Sequence, residues 1–225
     1  MLFSILTLFP EIFPNVINSS ILGIAQKNKL IEVNYINIRD FSADKHWTVD
    51  DKPYGGGIGM IMKVDTIDKA LIYTKELAKK KNKRNTYTEK TILLDPKGKL
   101  FNQKIASSLV KIDHLILICG HYEGVDARVE KLVDSTLSIG KFVLTGGEIP
   151  AMVVLDTVTR LVKGVLKSEA TRNESYSNPN ILECPQYTRP PIYKRMKVPK
   201  VLLSGNHKEI TRWQNLHKKK CILSE

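Results

Sequence analysis

The chain has 225 residues, 42% hydrophobic and 26% charged, a balance that fits a soluble globular protein and excludes a disordered or fibrous one. Its length suits one sizeable domain, or one domain with a small appendage. Lys and Arg total 35 against 23 Asp and Glu, a net charge of +12, which favours a polyanionic partner because neutralised phosphates release counterions. Charge alone does not decide this, since the runs KKKNKR (79–84) and KKK (218–220) read equally well as solvated faces.

The opening MLFSILTLFPEIFP lacks the basic start of a signal peptide, and Pro10 with Glu11 interrupts its apolar run, so residues 2–9 read as a buried strand instead of an export signal. No stretch approaches the roughly 18 apolar residues of a membrane span. Further short, branched, apolar segments at 32–38, 91–95, 114–119 and 142–145 are predicted strands. Between them, 11–27, 66–80, 102–111 and 126–133 are predicted helices, and Pro150 opens another in which Val154, Leu155, Val158, Leu161 and Val162 recur at helical spacing. This alternation predicts an α/β domain with a largely parallel sheet over residues 1–166. The polar, turn-rich stretch KSEATRNESYSNPN (167–180) reads as a flexible linker. Residues 181–225 read as a small, mainly helical C-terminal region with a helix from about 206 to 218. The three cysteines, Cys119, Cys184 and Cys221, form no CxxC pair, and their odd number speaks against a disulfide framework. A reducing cytoplasm is the expected setting.

Four clusters are unusual locally. DDKPYGGGIGM (50–60) holds three consecutive glycines and a fourth at Gly59, a backbone free to adopt positive φ. It matches neither the dinucleotide-binding fingerprint, since Met62 stands where the last glycine belongs, nor a P-loop, which needs G-K-[ST]. LLDPKG (93–98), ICGHYEGVDARV (118–129) and SIGKFVLTGGEIPAM (138–152) each follow or finish a predicted strand. Turns of this kind converge, because ligands in open α/β sheets bind outside the carboxyl ends of the strands. Glycines 120, 124, 140, 146 and 147 leave backbone groups accessible to an adenine edge and a ribose. No His/Cys/Asp cluster has ligand spacing, so no metal site is assigned.

In this order, DDKPYGGGIGM, ICGHYEGVDARV, SIGKFVLTGGEIPAM, CPQYTRP and VLLSGNH resemble the signature series of the tRNA (guanine-37-N1)-methyltransferases of the SPOUT class. The resemblance runs from the first strand to about Trp213. It implies an α/β domain with a deep trefoil knot, an exception to the rule that chains are not threaded, assembled as a homodimer with the target guanine where two subunits meet. It also implies S-adenosyl-L-methionine, bent in the knot loops and held mainly by Gly120 and by Ile139, Gly140, Lys141, Phe142, Val143 and Leu144. Leu93, Leu94, Pro96, Tyr122, Gly124, Gly146, Gly147 and Pro150 would line the same pocket. His46, Asp51, Tyr54 and Gly55 match tRNA-facing positions, and basic residues between Arg189 and Lys200 are candidates for phosphate contact. Lys141 and Phe142 stand where the family commonly has Asp-Tyr, Trp47 replaces a basic residue, and the tail to Glu225 is shorter than is usual in the family.

The implied chemistry is methyl transfer to N1 of guanine 37, beside the anticodon. The sulfonium methyl is already electrophilic, whereas N1 must lose its proton, and a carboxylate within hydrogen-bond reach is a suitable general base. As the proton leaves, negative charge spreads to O6, which a guanidinium stabilises. By resemblance the base is an aspartate in a D-S-F triplet. This chain has Glu174-Ser175-Tyr176, so Glu174 is assigned as the base, with Ser175 its competitor if the alignment runs without gaps. Arg160 matches the catalytic arginine. Two roles stay open for Glu123, binding the guanine edge and capping the following helix, and His121 reads as a neutral polar contact. The competing readings are a knotted methyltransferase acting on another RNA and a basic RNA-binding module without catalysis.

Overall fold

The computed structural model describes residues 1–81, 87–167, 169–171 and 174–220, and the chain divides into two compact units, Met1–Leu166 and Lys167–Glu225. In the first unit the strands are β1 (Leu2–Thr7), β2 (Glu32–Asn37), β3 (Asp50–Asp51), β4 (Ile61–Met62), β5 (Glu89–Leu100), β6 (His114–Cys119) and β7 (Ser135–Ser138). Its helices are α1 (Pro14–Ile17), α2 (Ser20–Lys27), α3 (Val64–Lys81), α4 (Gln103–Leu109) and α5 (Glu148–Thr159).

Five strands form one sheet in the order β2-β1-β6-β5-β7, and every neighbouring pair is parallel. Side chains alternate across a strand, and the core divides accordingly. Phe3, Ile5, Ile92, Leu94, Leu115 and Leu117 face one cluster with residues of α2, α4 and α5. Leu6, Leu93, Ile116 and Ile118 face the other, with Ile67, Ala70 and Leu71 of α3. A parallel sheet covered on both faces reads as unbroken apolar runs, which is why HLILIC is buried at every position.

The helices follow their capping chemistry. The Asn102 side chain accepts from Ile105 N at 3.0 Å at the start of α4. α3 carries Asp65 in its first turn and three lysines in its last, charges that suit the helix dipole. Among the described residues no helix is long and apolar enough to cross a membrane.

Three predicted elements differ. Residues 142–145 are not a strand; β7 lies upstream at Ser135–Ser138, and 142–145 run through a turn with Val143 82% exposed. Apolar, branched composition mimics a buried strand there, but the segment has no sheet partner among the described residues. The helix expected over 11–27 is broken into a 3-10 turn, α1 and α2, because Pro14 removes an amide donor and Ser20 sits at φ +50. Residues 126–133 yield only a 3-10 turn, Ala127–Lys131, whose start Asp126 caps by accepting from Arg128 N at 2.9 Å.

The second unit contains β8 (Ile181–Leu182), β9 (Ile192–Tyr193), β10 (Met196–Lys197), α6 (Lys200–Leu203), α7 (His207–Leu216) and β11 (Lys219–Lys220). β9 pairs with β10 and β8 with β11, both antiparallel. It is a mixture of short ribbons and helices, with Asn206 capping α7 by accepting from Glu209 N at 3.3 Å.

Candidate functional site

The carboxyl ends of β5, β6 and β7 open onto one cavity of about 300 Å³, within the size range of small-molecule sites. Each strand contributes a turn. Within β5, Asp95 Oδ1 accepts from Lys97 N at 2.8 Å, and the chain then returns to β7, so that Leu94 and Lys99 both pair with Leu137. Gly98 makes this return possible, since a Cβ there would lie 2.6 Å from the Leu137 backbone. After β6, Tyr122 (φ +59) and Gly124 (φ +112) turn the chain back, and Gly124 N donates to His121 O at 3.0 Å. After β7, the Ser138 hydroxyl donates to Gly140 O at 2.8 Å and accepts from Gly140 N at 3.2 Å.

The turns are joined to each other. Gly147 N donates to Gly120 O at 2.8 Å, and His121 and Gly146 form an antiparallel bridge. The hairpin of β3 and β4 adds a fourth side. Glu123 N donates to Met60 O and Met62 N to Gly124 O, both at 3.0 Å, while Gly59 leaves no room for a Cβ beside the Glu123 side chain.

Thirteen of the fifteen residues expected around the donor line this cavity: Leu94, Pro96, Gly120, Tyr122, Gly124, Ile139, Gly140, Phe142, Val143, Leu144, Gly146, Gly147 and Pro150. Leu93 and Lys141 are not among the lining residues. Leu93 belongs to the opposite core cluster, because it is one residue out of phase with Leu94. Glu123, for which the sequence leaves both binding the guanine edge and capping the following helix open, lines the cavity as well, while the cap of the following turn is Asp126. His46, Asp51 and Tyr54 are exposed on the segment leading to and through the β3–β4 hairpin, as is Gly55 at φ +86. Arg160 caps the C-terminus of α5, half-buried, its N–H donating to Asp156 O at 3.1 Å.

In the second unit, Glu174 lines a separate concavity with Glu183, Cys184, Gln186, Thr211, Gln214 and Lys218. Its neighbour Ser175 is engaged by the backbone, its hydroxyl accepting from Glu183 N at 3.1 Å.

Sequence reasoning passed over Asp95, Lys97, Leu137, Ser138 and Thr145, which also line the cavity. It gave Glu148 no role, although Glu148 is 5% exposed and accepts from Thr7 Oγ1 at 2.8 Å. The signal available was an acidic residue beside two glycines at a helix start. The Cys119 thiol at the end of β6 is pushed well up by burial and by the nearby Glu148 carboxylate, so it stays a neutral core side chain.

A family model described as tRNA (Guanine-1)-methyltransferase TrmD matches residues 1–223. The chain belongs to this family. A tRNA (guanine-N(1)-)-methyltransferase of Carboxydothermus hydrogenoformans is 52% identical over 225 residues, 100% of this chain and 84% of the relative. Proteins of the same name from Ruminiclostridium cellulolyticum and Mycoplasmopsis synoviae are 50% and 49% identical, each covering 95% of this chain and 89% and 90% of the relative. At such identity and coverage the shared family extends over both units.

Proposed function

We propose that this protein transfers the methyl group of S-adenosyl-L-methionine to N1 of guanine 37 in tRNA, with its donor in the cavity at the ends of β5, β6 and β7. The observation that carries the reading is the convergence of three strand-end turns into one cavity, in a chain whose relatives are named tRNA (guanine-N(1)-)-methyltransferases. The lining suits the donor chemically. Leu94, Pro96, Leu137, Ile139 and Pro150 offer apolar wall to an adenine, and the glycine turns offer backbone groups to its edge. Asp95 and Glu123 outnumber Lys97 among the charged lining residues, which favours a molecule carrying sulfonium and ammonium charge.

Bound there, the donor supplies an electrophilic methyl group. The chain supplies proton removal and charge stabilisation at the acceptor: Glu174 takes the proton from guanine N1 and Arg160 stabilises charge developing on O6. Ser175 is the weaker candidate for the base, because its oxygen already accepts a backbone N–H. His46, Asp51, Tyr54 and Gly55 would face the tRNA, and the net charge of +12 would draw it in.

The working form in this reading is a cytoplasmic homodimer whose donor turns form a trefoil knot. Exposed apolar residues support a second copy: Phe142, Val143, Leu144, Ile149 and Val153 lie on and beside the turn that walls the cavity, and Val143 is 82% exposed. A patch of that composition is best covered by protein.

Mass spectrometry of tRNA transcripts incubated with enzyme and donor tests the reading. One methyl group on transcripts with guanine at position 37, and none on transcripts with another base there, is the expected result. Methylation independent of that base would overturn the substrate, and binding without turnover would leave a basic RNA-binding module.

A further inference from the structure

Beneath the cavity lies a polar chain that the reaction above does not use. Glu148, in the first turn of α5, is buried, and a buried carboxylate needs hydrogen-bond partners. Thr7, at the end of β1, supplies one: its Oγ1 accepts from Phe9 N at 3.0 Å and donates to Glu148 Oε1 at 2.8 Å. The other carboxylate oxygen, Oε2, lies 3.8 Å from His121 Nδ1. That nitrogen is buried and has no hydrogen-bond partner among the described residues. The carboxylate oxygen and this nitrogen thus face each other less than 1 Å beyond hydrogen-bond range.

Their surroundings keep the two groups together. The imidazole is flanked by Phe9 at 4.9 Å between ring centroids and by Tyr122 at 5.1 Å, edge-on at 88°. The backbones carrying the pair are tied by the His121–Gly146 bridge and by Gly147 N to Gly120 O. At Gly146 a Cβ would collide with both Glu148 Oε2 and His121 Nδ1, so the glycine leaves the space that the pair occupies. His121 itself forms part of the cavity wall.

We infer that Glu148 is a positioning residue: its carboxylate holds a proton on His121 Nδ1, and this fixes the character of the ring's other nitrogen toward the bound methyl donor. The inference rests on the cavity being the donor site. A histidine's free nitrogen takes its role from the hydrogen bond made by the other, so the effect of Glu148 reaches the cavity without Glu148 touching the ligand.

The test is ring ¹⁵N NMR of the full-length protein labelled at histidine, with His121 assigned as the signal lost in His121→Asn. In the wild type, Nδ1 is expected to show the shift of a protonated nitrogen. In Glu148→Gln the amide oxygen keeps the Thr7 bond and turns its NH₂ toward Nδ1, so the proton is expected to move to Nε2. The dissociation constant for S-adenosylhomocysteine, measured by calorimetry, should rise about tenfold, the scale of one ordinary hydrogen bond. Thr7→Val, which keeps the carboxylate, should leave the proton on Nδ1 and move affinity less. An unprotonated Nδ1 in the wild type overturns the proposal even if Glu148→Gln fails to fold. So does a Glu148→Gln protein with unchanged tautomer and unchanged affinity. A wild-type protein that shows the protonated Nδ1 but binds no S-adenosylhomocysteine removes the donor-site reading instead.

Discussion

Gly147 N donates to Gly120 O at 2.8 Å, and the same glycine has no space for a side chain, because a Cβ would stand 2.6 Å from Cys119 Cα and 2.9 Å from Gly120 N. The turn after β6 and the start of α5 therefore touch backbone to backbone, and the cavity lies over this contact. The obstructing atoms are main chain of a buried strand end, which cannot swing aside as a flexible side chain would.

Gly147→Ala is thus expected to destabilise the protein by about 1–3 kcal/mol, the usual cost of overpacking. For a chain of this size that lowers the melting temperature by several degrees. Donor affinity should fall in parallel, because the two turns must separate to admit the methyl group. Calorimetric melting and titration with S-adenosylhomocysteine check both, and unchanged values would show that the close approach is not needed.

The assignment of Glu174 and Arg160 makes a kinetic prediction. Glu174→Gln removes the proton acceptor and should lower the single-turnover rate by about 10²-fold or more, the ordinary contribution of a positioned base. Arg160→Ala should act on the same step. Neither residue is among those lining the donor cavity, so affinity for S-adenosylhomocysteine should stay within about twofold. A normal single-turnover rate in Glu174→Gln would reject it as the base.

At the opposite end of the sheet a buried network makes stability depend on pH. His114 is fully buried, with Nδ1 3.1 Å from Glu89 Oε2 and Nε2 2.9 Å from Ser4 Oγ, while Lys75 lies 3.5 Å from Glu89 Oε1. Burial pushes the Glu89 carboxyl up, but its hydrogen bond and charge interaction with His114, joined by Lys75, bring it net below its ordinary value. A carboxyl lowered in the folded state contributes stability that is fully present above its unfolded pKa and is lost as pH falls through the folded one. The wild-type melting temperature should therefore drop between about pH 5 and pH 3. In Glu89→Gln that drop should be shallower, with a lower starting value near neutral pH. Parallel curves for the two proteins would exclude Glu89 as a source of the acid sensitivity.

Salt dependence tests the RNA-facing charge. Arg189, Lys194, Arg195 and Lys197 are exposed on or beside the β9–β10 ribbon. If they meet phosphates, the logarithm of tRNA affinity falls with the logarithm of salt concentration, and each lost contact lowers that slope by about 0.7–0.9. Replacing Lys194 and Arg195 with Ala should reduce the slope by one to two such steps. Fluorescence titrations over a series of salt concentrations measure it, and an unchanged slope would remove this ribbon from the interface.

The sequence alone carried the sheet class and most of the cavity. Unbroken apolar runs such as HLILIC mark strands buried on both faces, and glycine-rich turns at strand ends mark a ligand site, because both are set by local composition. The family was legible for the same reason, in several glycine- and proline-bearing segments kept in fixed order. Only the tertiary structure decided which face each side chain takes: Leu93 and Leu94 are chemically alike, yet one faces the far core cluster and the other the cavity, since strand phase depends on sheet pairing. The same holds for residues 142–145, whose apolar composition suggested a strand but which form an exposed turn without a pairing partner among the described residues. It holds most for Glu148 and Thr7, 141 residues apart, whose contact depends on the packing of α5 beside β1 and leaves no trace in local sequence.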